Sequence, residues 1–244
     1  MEPESGNPVE TTVTPAYEVT VIVPALNEEA TIAEVIERVL AIPFRVQMIV
    51  VNDGSTDRTP EILAGYGDRI LVLHNPKRGG KGNAIRKAVP HATGRATIIQ
   101  DADLEYFPEE IGTVVGPILK GEANAVYGSR FHQGLPKTMA LPNKIVNRLL
   151  ALCVRVVYQR PMTDEATCYK AFRTDLLVKM DLQCERFEFC PEVTAKAIRL
   201  GETILEVPIR YVARSKEAGK KIRWTDAPEA FWTLFRYRNW RPKG

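Results

Sequence analysis

Short runs rich in β-branched residues recur along the chain at positions 19–23, 46–51, 70–73, 96–100 and 123–127, and each predicts a strand. Between the first two, Ile32, Val35, Ile36, Val39 and Leu40 share one face at helical spacing, which predicts a helix over 29–41. Glu28 and Glu29 at its start suit the positive end of a helix dipole. A second helical stretch follows Pro60, and a third covers 82–89. Strand and helix alternate, so the expected architecture is α/β, a mainly parallel central sheet with flanking helices. Ligands of such sheets bind beyond the carboxyl ends of the strands. Those ends carry Pro24-Ala25-Leu26-Asn27-Glu28, Asn52-Asp53-Gly54-Ser55-Thr56-Asp57 and Asp101-Ala102-Asp103, three polar clusters expected on one edge.

The pattern changes later in the chain. Over 141–158, Ile145, Val146, Leu149, Leu150, Leu152, Cys153, Val156 and Val157 are interspersed with Lys144, Arg148 and Arg155, the signature of an amphipathic helix. A second such stretch, 231–240, mixes Phe231, Trp232, Leu234, Phe235, Tyr237 and Trp240 with Arg236 and Arg238. No internal repeat or long linker divides the chain. The expected organisation is a flexible acidic tail over 1–16 and a single domain over 17–244.

Composition narrows the class. The 244 residues can bury a substantial core, and 45% hydrophobic with 26% charged residues excludes a disordered or collagen-like chain. No apolar run approaches the ~18–20 residues of a membrane span. Glu2, Glu4 and Glu10 stand where a secretion signal has its basic start and apolar stretch. Cys153, Cys168, Cys184 and Cys190 form no Cys-x-x-Cys pair and read as reduced thiols, which implies a cytoplasmic protein. Net charge is +3, yet residues 209–244 hold ten Lys/Arg against three Asp/Glu, leaving the rest at −4. A basic end seeks phosphates or lipid head groups; without a matching motif, no nucleic-acid partner is expected.

Two carboxylates one residue apart at a strand end, Asp101 and Asp103, can address a hard divalent cation and a diphosphate bound to it. The small Ala102 between them lets a ribose or phosphate approach the backbone, and Glu105 follows two residues on. Alone, Asp-x-Asp is better read as a solvated loop. In 53–57, Gly54, Ser55 and Asp57 suit a turn and a helix cap, while Asp53 can accept hydrogen bonds from a base or ribose. Gly79-Gly80-Lys81-Gly82 lacks the Walker spacing, which counts against an ATPase. It reads either as a flexible loop or as a support placing Lys81 near a nucleotide.

In order and spacing, 20–28, 50–57, Gly80-Lys81-Gly82-Asn83-Ala84, Asp101-Ala102-Asp103-Leu104, Pro108-Glu109 and Gly128-Ser129-Arg130-Phe131 resemble the family 2 glycosyltransferases. Segments 163–173 and 187–212 are similar to the continuation seen in dolichyl-phosphate mannose synthases and their bacterial polyprenyl-phosphate relatives. The resemblance implies a GT-A, Rossmann-like fold, a nucleoside diphosphate-sugar donor, Mg²⁺ or Mn²⁺, and inversion at the anomeric carbon. It makes 17–131 the donor-binding half and 132–244 the acceptor-side half. Carried over, Pro24, Leu26, Glu28, Val51, Asp53, Lys81, Asp101, Ala102, Asp103, Arg130, Arg214 and Lys220 would bind the donor. Asp101, Asp103 and Glu105 would hold the metal, with Asp103 also catalytic. Glu105 stands where Gln is usual, adding negative charge, and Leu26 replaces a commoner Tyr, removing a ring contact.

The resemblance points to a polyprenyl or dolichyl phosphate as acceptor. Such a phosphate, with a second pKa of about 6, is already a nucleophile at neutral pH. A saccharide or lipid hydroxyl, the alternative acceptor in envelope polysaccharide assembly, needs a general base. Asp164, within 163–167, is the candidate for a base or an acceptor-orienting group. The two amphipathic stretches suit either core packing or reversible attachment to the inner face of a membrane. A reading of another class, a non-catalytic nucleotide-sugar-binding protein, is opposed by the intact Asp53, Asp101, Asp103 and Arg214.

Overall fold

The computed structural model describes residues 16–132, 134, 139–213 and 227–242. Residues 1–15 of the expected tail, together with Arg214 and Lys220, lie outside them. Seven strands form one sheet: β1 Val19–Ala25, β2 Val46–Asn52, β3 Leu71–His74, β4 Ala96–Ile99, β5 Ala125–Ser129, β6 Lys170–Arg173 and β7 Ile204–Pro208. Their order is β3-β2-β1-β4-β6-β5-β7. Strand β1 runs parallel to β2 and β4, pairing Val19 with both Val46 and Ala96. Strand β6 is antiparallel to its neighbours β4 and β5, and β5 is parallel to the edge strand β7.

The β-branched runs become strands because both faces of the sheet are covered. Val19, Val21, Ile22 and Val23 of β1 and Ile49, Val50 and Val51 of β2 are wholly buried. Helix α1, Ile32–Leu40, covers one face with Ile32, Val35, Ile36 and Val39. It starts later than the expected 29, because Glu28 and Glu29 are used in the preceding loop. The Glu28 carbonyl accepts the Thr31 and Ile32 amides, and the Glu29 carboxylate accepts the Arg58 amide at 3.0 Å. Helices α2, Thr59–Ala64, α3, Lys81–Ala88, and α4, Ile111–Leu119, complete the first half.

In the second half, α5 spans Leu141–Tyr158, as its pattern predicts. Then come α6, Thr174–Lys179, α7, Phe189–Arg199, and α8, Ala227–Arg236. The expected 231–240 helix is displaced: α8 ends at Arg236, and a 3₁₀ turn over Tyr237–Asn239 follows. Leu150 and Val154 of α5 pack on Leu234 of α8. The opposite face of α5 leaves Leu141, Ile145, Leu149, Leu152 and Val156 exposed, as α8 leaves Trp232 and Phe235. Among the described residues no helix is long and apolar enough to cross a membrane, and all four cysteines are free thiols.

Candidate active site

The loops after β1 and β2 are laced into one rim. The Asn27 amide donates to Ser55 Oγ at 2.9 Å, and Asn27 Oδ1 accepts the Thr56 amide at 2.8 Å. Asp57 accepts the amides of both Glu29 and Thr59 at 3.0 Å. Ser55 and Asp57 therefore serve the turn and the start of α2, as their positions suggest.

Asp53 is buried at the end of β2, and its carboxylate faces the glycine loop. It accepts the Gly79 amide at 2.8 Å, the Gly80 amide at 2.7 Å and the Asn75 side chain at 2.7 Å. Gly80 has φ 97°, and a Cβ there would collide with the Glu185 carbonyl oxygen. The first free amides of α3 are also taken: Gly82 donates to Arg186 O and Asn83 to Glu185 O, both at 2.9 Å. The loop is thus fixed rather than flexible, and its glycines admit a neighbouring backbone instead of cradling phosphate with free amides. Its rigidity aims Lys81, whose ammonium pairs with Asp101. Burial works against the Lys81 charge, but Asp101 beside it holds its pKa well above the usual lysine range.

After β4 the chain turns through Asp101-Ala102-Asp103. Leu104 adopts φ 59°, and Asp103 Oδ1 accepts the Glu105 amide at 3.1 Å, closing an Asx turn. Glu105 accepts the Tyr211 hydroxyl at 2.7 Å. Beyond β5, Arg130 is clamped by Asp164: two guanidinium bonds of 2.8 and 2.7 Å, plus the Arg130 amide at 2.8 Å. Asn147 of α5 adds a fourth donor to that carboxylate at 2.7 Å. Burial alone would raise the Asp164 pKa, yet the Arg130 charge and these bonds hold it below the ordinary carboxylate value. The Tyr211 ring covers the guanidinium, with its centroid 5.0 Å from Cζ.

These groups surround a cavity of about 550 Å³. Pro24, Leu26, Glu28, Asp53, Lys81, Asp101, Ala102, Asp103, Glu105 and Arg130 all reach its wall. Val51 does not; it is buried in β2, one residue short of the rim. Asp164 does not reach the cavity either, and stands behind Arg130 with no exposed surface. Among the described residues, no three His, Cys, Asp or Glu side chains are grouped to hold a metal ion. The same lining includes the apolar Met139, Val146, Leu150, Phe189, Pro191 and Ala230. Sequence reasoning missed Asn147, Glu165 and Tyr211. Asn147 carried a signal, a polar residue on the buried face of an apolar helix; Tyr211 carried none.

A mainly parallel sheet whose strand ends deliver carboxylates to one cavity is the arrangement of the GT-A fold of glycosyltransferases. The family model for glycosyl transferase family 2 matches residues 20–180, and the chain belongs to that family. Over 203 residues it is 34% identical to the low-salt glycan biosynthesis hexosyltransferase Agl6 of Haloferax volcanii, covering 81% of this chain and 48% of that protein. The match to glycosyltransferase AglD of the same organism, 30% identical, covers 80% of this chain and 33% of that protein. The chain thus spans about half and a third of these two relatives. It is 28% identical to the polyprenol monophosphomannose synthase of Mycolicibacterium smegmatis, covering 91% of this chain and 89% of the other. Among solved structures, glucosyl-3-phosphoglycerate synthase from Mycobacterium tuberculosis with uridine diphosphate superposes with a TM-score of 0.72 at 23% identity, covering 93% of this chain and 82% of that one. The same synthase has been crystallised with Mn²⁺ and uridine-diphosphate-glucose.

Proposed function

We propose that this glycosyltransferase is an inverting, divalent-metal-dependent enzyme that moves a hexose from GDP-mannose or a UDP-sugar to a polyprenyl or dolichyl phosphate. The observation that carries this reading is a single cavity whose lining combines two kinds of group. Carboxylates, Lys81 and Arg130 line it together with apolar residues of α5, α7 and α8. A sugar nucleotide suits the charged lining and the chain of a lipid phosphate suits the apolar lining. The mycobacterial relative of similar length, a polyprenol monophosphomannose synthase, supports the same acceptor class.

Asp103, Asp101 and Glu105 offer only oxygen donors, the chemistry that Mg²⁺ and Mn²⁺ favour, and such ions use few protein carboxylates when a diphosphate completes the shell. A preformed group of three ligands is therefore not required, and the residues fit the ion. Bound there, the ion would supply Lewis-acid neutralisation of the departing nucleoside diphosphate. Lys81 contributes fixed positive charge beside Asp101. Arg130, locked in place by Asp164, presents its guanidinium to phosphate oxygens, and Asp53 acts by holding the Gly79–Gly80 loop. Arg214 and Lys220 would add charge at the diphosphate. Asp164 is not a good proton acceptor, since its four hydrogen bonds favour the charged form; it positions Arg130. The exposed apolar stripe of α5 with Trp232 and Phe235, flanked by Arg148, Arg155, Arg236 and Arg238, suits reversible attachment to an anionic membrane face.

A hydroxyl acceptor is the second reading, favoured by the glycan-assembly relative at 34% identity. Labelled sugar nucleotides incubated with the full chain and separated polyprenyl phosphates or glycans decide between them. Sugar on the lipid phosphate supports the first reading; product with hydroxyl acceptors alone removes it.

A further inference from the structure

Tyr211 follows β7 and lines the cavity together with Glu105, Tyr106 and Arg130. Its hydroxyl and its ring meet two different groups. The hydroxyl donates to Glu105 Oε2 at 2.7 Å, a short bond of the kind a phenol makes to a carboxylate. The ring lies against Arg130, whose Cζ is 5.0 Å from its centroid, within the range of a cation–π contact. Tyr106 braces the ring at a centroid distance of 5.3 Å and itself stacks on Tyr169 at 5.2 Å. The main chain around Tyr211 is fixed without its side chain. The Ile209 amide donates to the Ser129 carbonyl at 3.2 Å, the Arg210 amide to Glu110 Oε2 at 2.9 Å, and the Val212 amide to the Glu105 carbonyl at 3.1 Å. Loss of the hydroxyl therefore leaves the segment seated.

We infer that Tyr211 is a positioning residue for two groups at once: its hydroxyl orients the Glu105 carboxylate for the divalent ion, and its ring holds the Arg130 guanidinium for phosphate oxygens. A glutamate carboxylate turns about three side-chain bonds, and an outer hydrogen-bond donor that fixes a ligand raises its value to an ion. The other two proposed ligands have such partners: Asp101 is met by Lys81, and Asp103 by the Glu105 amide. The Tyr211 hydroxyl does the same for Glu105. Arg130 is held at its Nε and Nη2 by Asp164, and the Tyr211 ring packs against the remaining plane of charge. One side chain thus ties the carboxylate that follows β4 to the arginine that follows β5.

The inference rests on the proposed roles of Glu105 toward the ion and of Arg130 toward phosphate, and the experiment separates its failure from theirs. Free Mn²⁺ is followed by electron paramagnetic resonance as the ion is titrated into the full chain, alone and with UDP or GDP. Wild type, Tyr211→Phe, Glu105→Ala and the double variant are compared, and no sugar transfer is needed. Tyr211→Phe keeps the ring and should weaken Mn²⁺ binding by about tenfold or more. In the Glu105→Ala chain it should change nothing further, because the hydroxyl acts through that carboxylate. Wild-type affinity in Tyr211→Phe, or an equal loss with and without Glu105, overturns the role of the hydroxyl. Wild type that binds no Mn²⁺, or Glu105→Ala that binds it as tightly, overturns the metal reading of Glu105 instead, and the hydroxyl's role falls with it. The ring is tested by transfer assays with whichever acceptor the wild type glycosylates. Arg130→Lys identifies the substrate whose KM depends on the guanidinium. Tyr211→Leu should raise that same KM about threefold or more, while Tyr211→Phe leaves it unchanged. If the two Tyr211 variants share one KM, the ring holds nothing; if Arg130→Lys alters no KM, the phosphate reading of Arg130 fails and takes the ring's role with it. A fall in melting temperature with every constant shifted alike marks a merely structural residue and overturns both roles.

Discussion

The two halves of the chain around the cavity, donor side and acceptor side, are held together by different physics. On the donor side, hydrogen bonds between neighbouring loops do most of the holding, with the Lys81–Asp101 pair beside them: Asn27 to Ser55 and Thr56, Asp57 to two amides, Asp53 to Gly79 and Gly80. The Asp53 and Asp57 carboxylates are met mostly by backbone amides close in space to a strand end. On the other side, charges are buried against charges. Arg130 and Asp164 pair there, and elsewhere in the second half, outside the cavity lining, Lys196 and Glu192 of α7 pair at 2.5 Å with no exposed surface. Exchanging one loop contact for another costs little, whereas a buried ion left alone costs far more than its pair contributes.

The sharpest break in this comparison is chemical. Asp103→Ala should lower transfer by more than about 10²-fold while leaving the melting temperature near wild type, as steady-state assays and calorimetry would show. Full activity of the wild type in excess chelator would remove the metal role. Next comes Asp164→Ala, expected to cost about 3–5 kcal/mol in urea unfolding because it strands Arg130. The pH signature follows from the depressed Asp164 pKa. Its stabilisation is fully present above the unfolded carboxylate value and is lost as pH falls through the lower folded value. The variant should therefore be less sensitive to acid than wild type between about pH 4 and 2.

On the donor side, Gly80→Ala is expected to cost about 1–3 kcal/mol and to raise donor KM, since φ 97° and the Glu185 carbonyl both oppose a side chain. An unchanged donor KM would separate the loop from the nucleotide. The smallest effect on stability, within about 0.5 kcal/mol, belongs to Leu149→Asp with Leu152→Asp on the exposed face of α5. The pair should abolish sedimentation with anionic vesicles, and retained binding would free that stripe from any membrane role.

The same contrast explains what could be read from the chain. Strands β1 to β4 and the rim residues follow from contiguous runs, because a buried parallel strand is apolar throughout and ends in a polar cluster. The later half conceals itself. Strand β6 has only four residues and opens with Lys170, which is wholly buried, whereas a lysine in sequence suggests solvent. Helix α7 buries Glu192, Thr194 and Lys196 along with its apolar residues, so its pattern carries no clean stripe. Glu165 could not be told from its neighbour Asp164, because what distinguishes them is the Arg130 guanidinium, contributed by a distant loop. Val51 stays within β2, and the Asn52 amide side chain bonded to His74 and the buried Asp53 follow it at the strand end.

Strand β6 lies between β4 and β5 although it is made after both, with α5 intervening. During synthesis, β5 therefore leaves the ribosome without either of its sheet neighbours and must wait for Lys170–Arg173 and then Ile204–Pro208. Until they arrive, its unpaired edges are exposed to other nascent chains. Slow codons or a chaperone acting over that interval should influence the yield of this protein more than any change near its first strand.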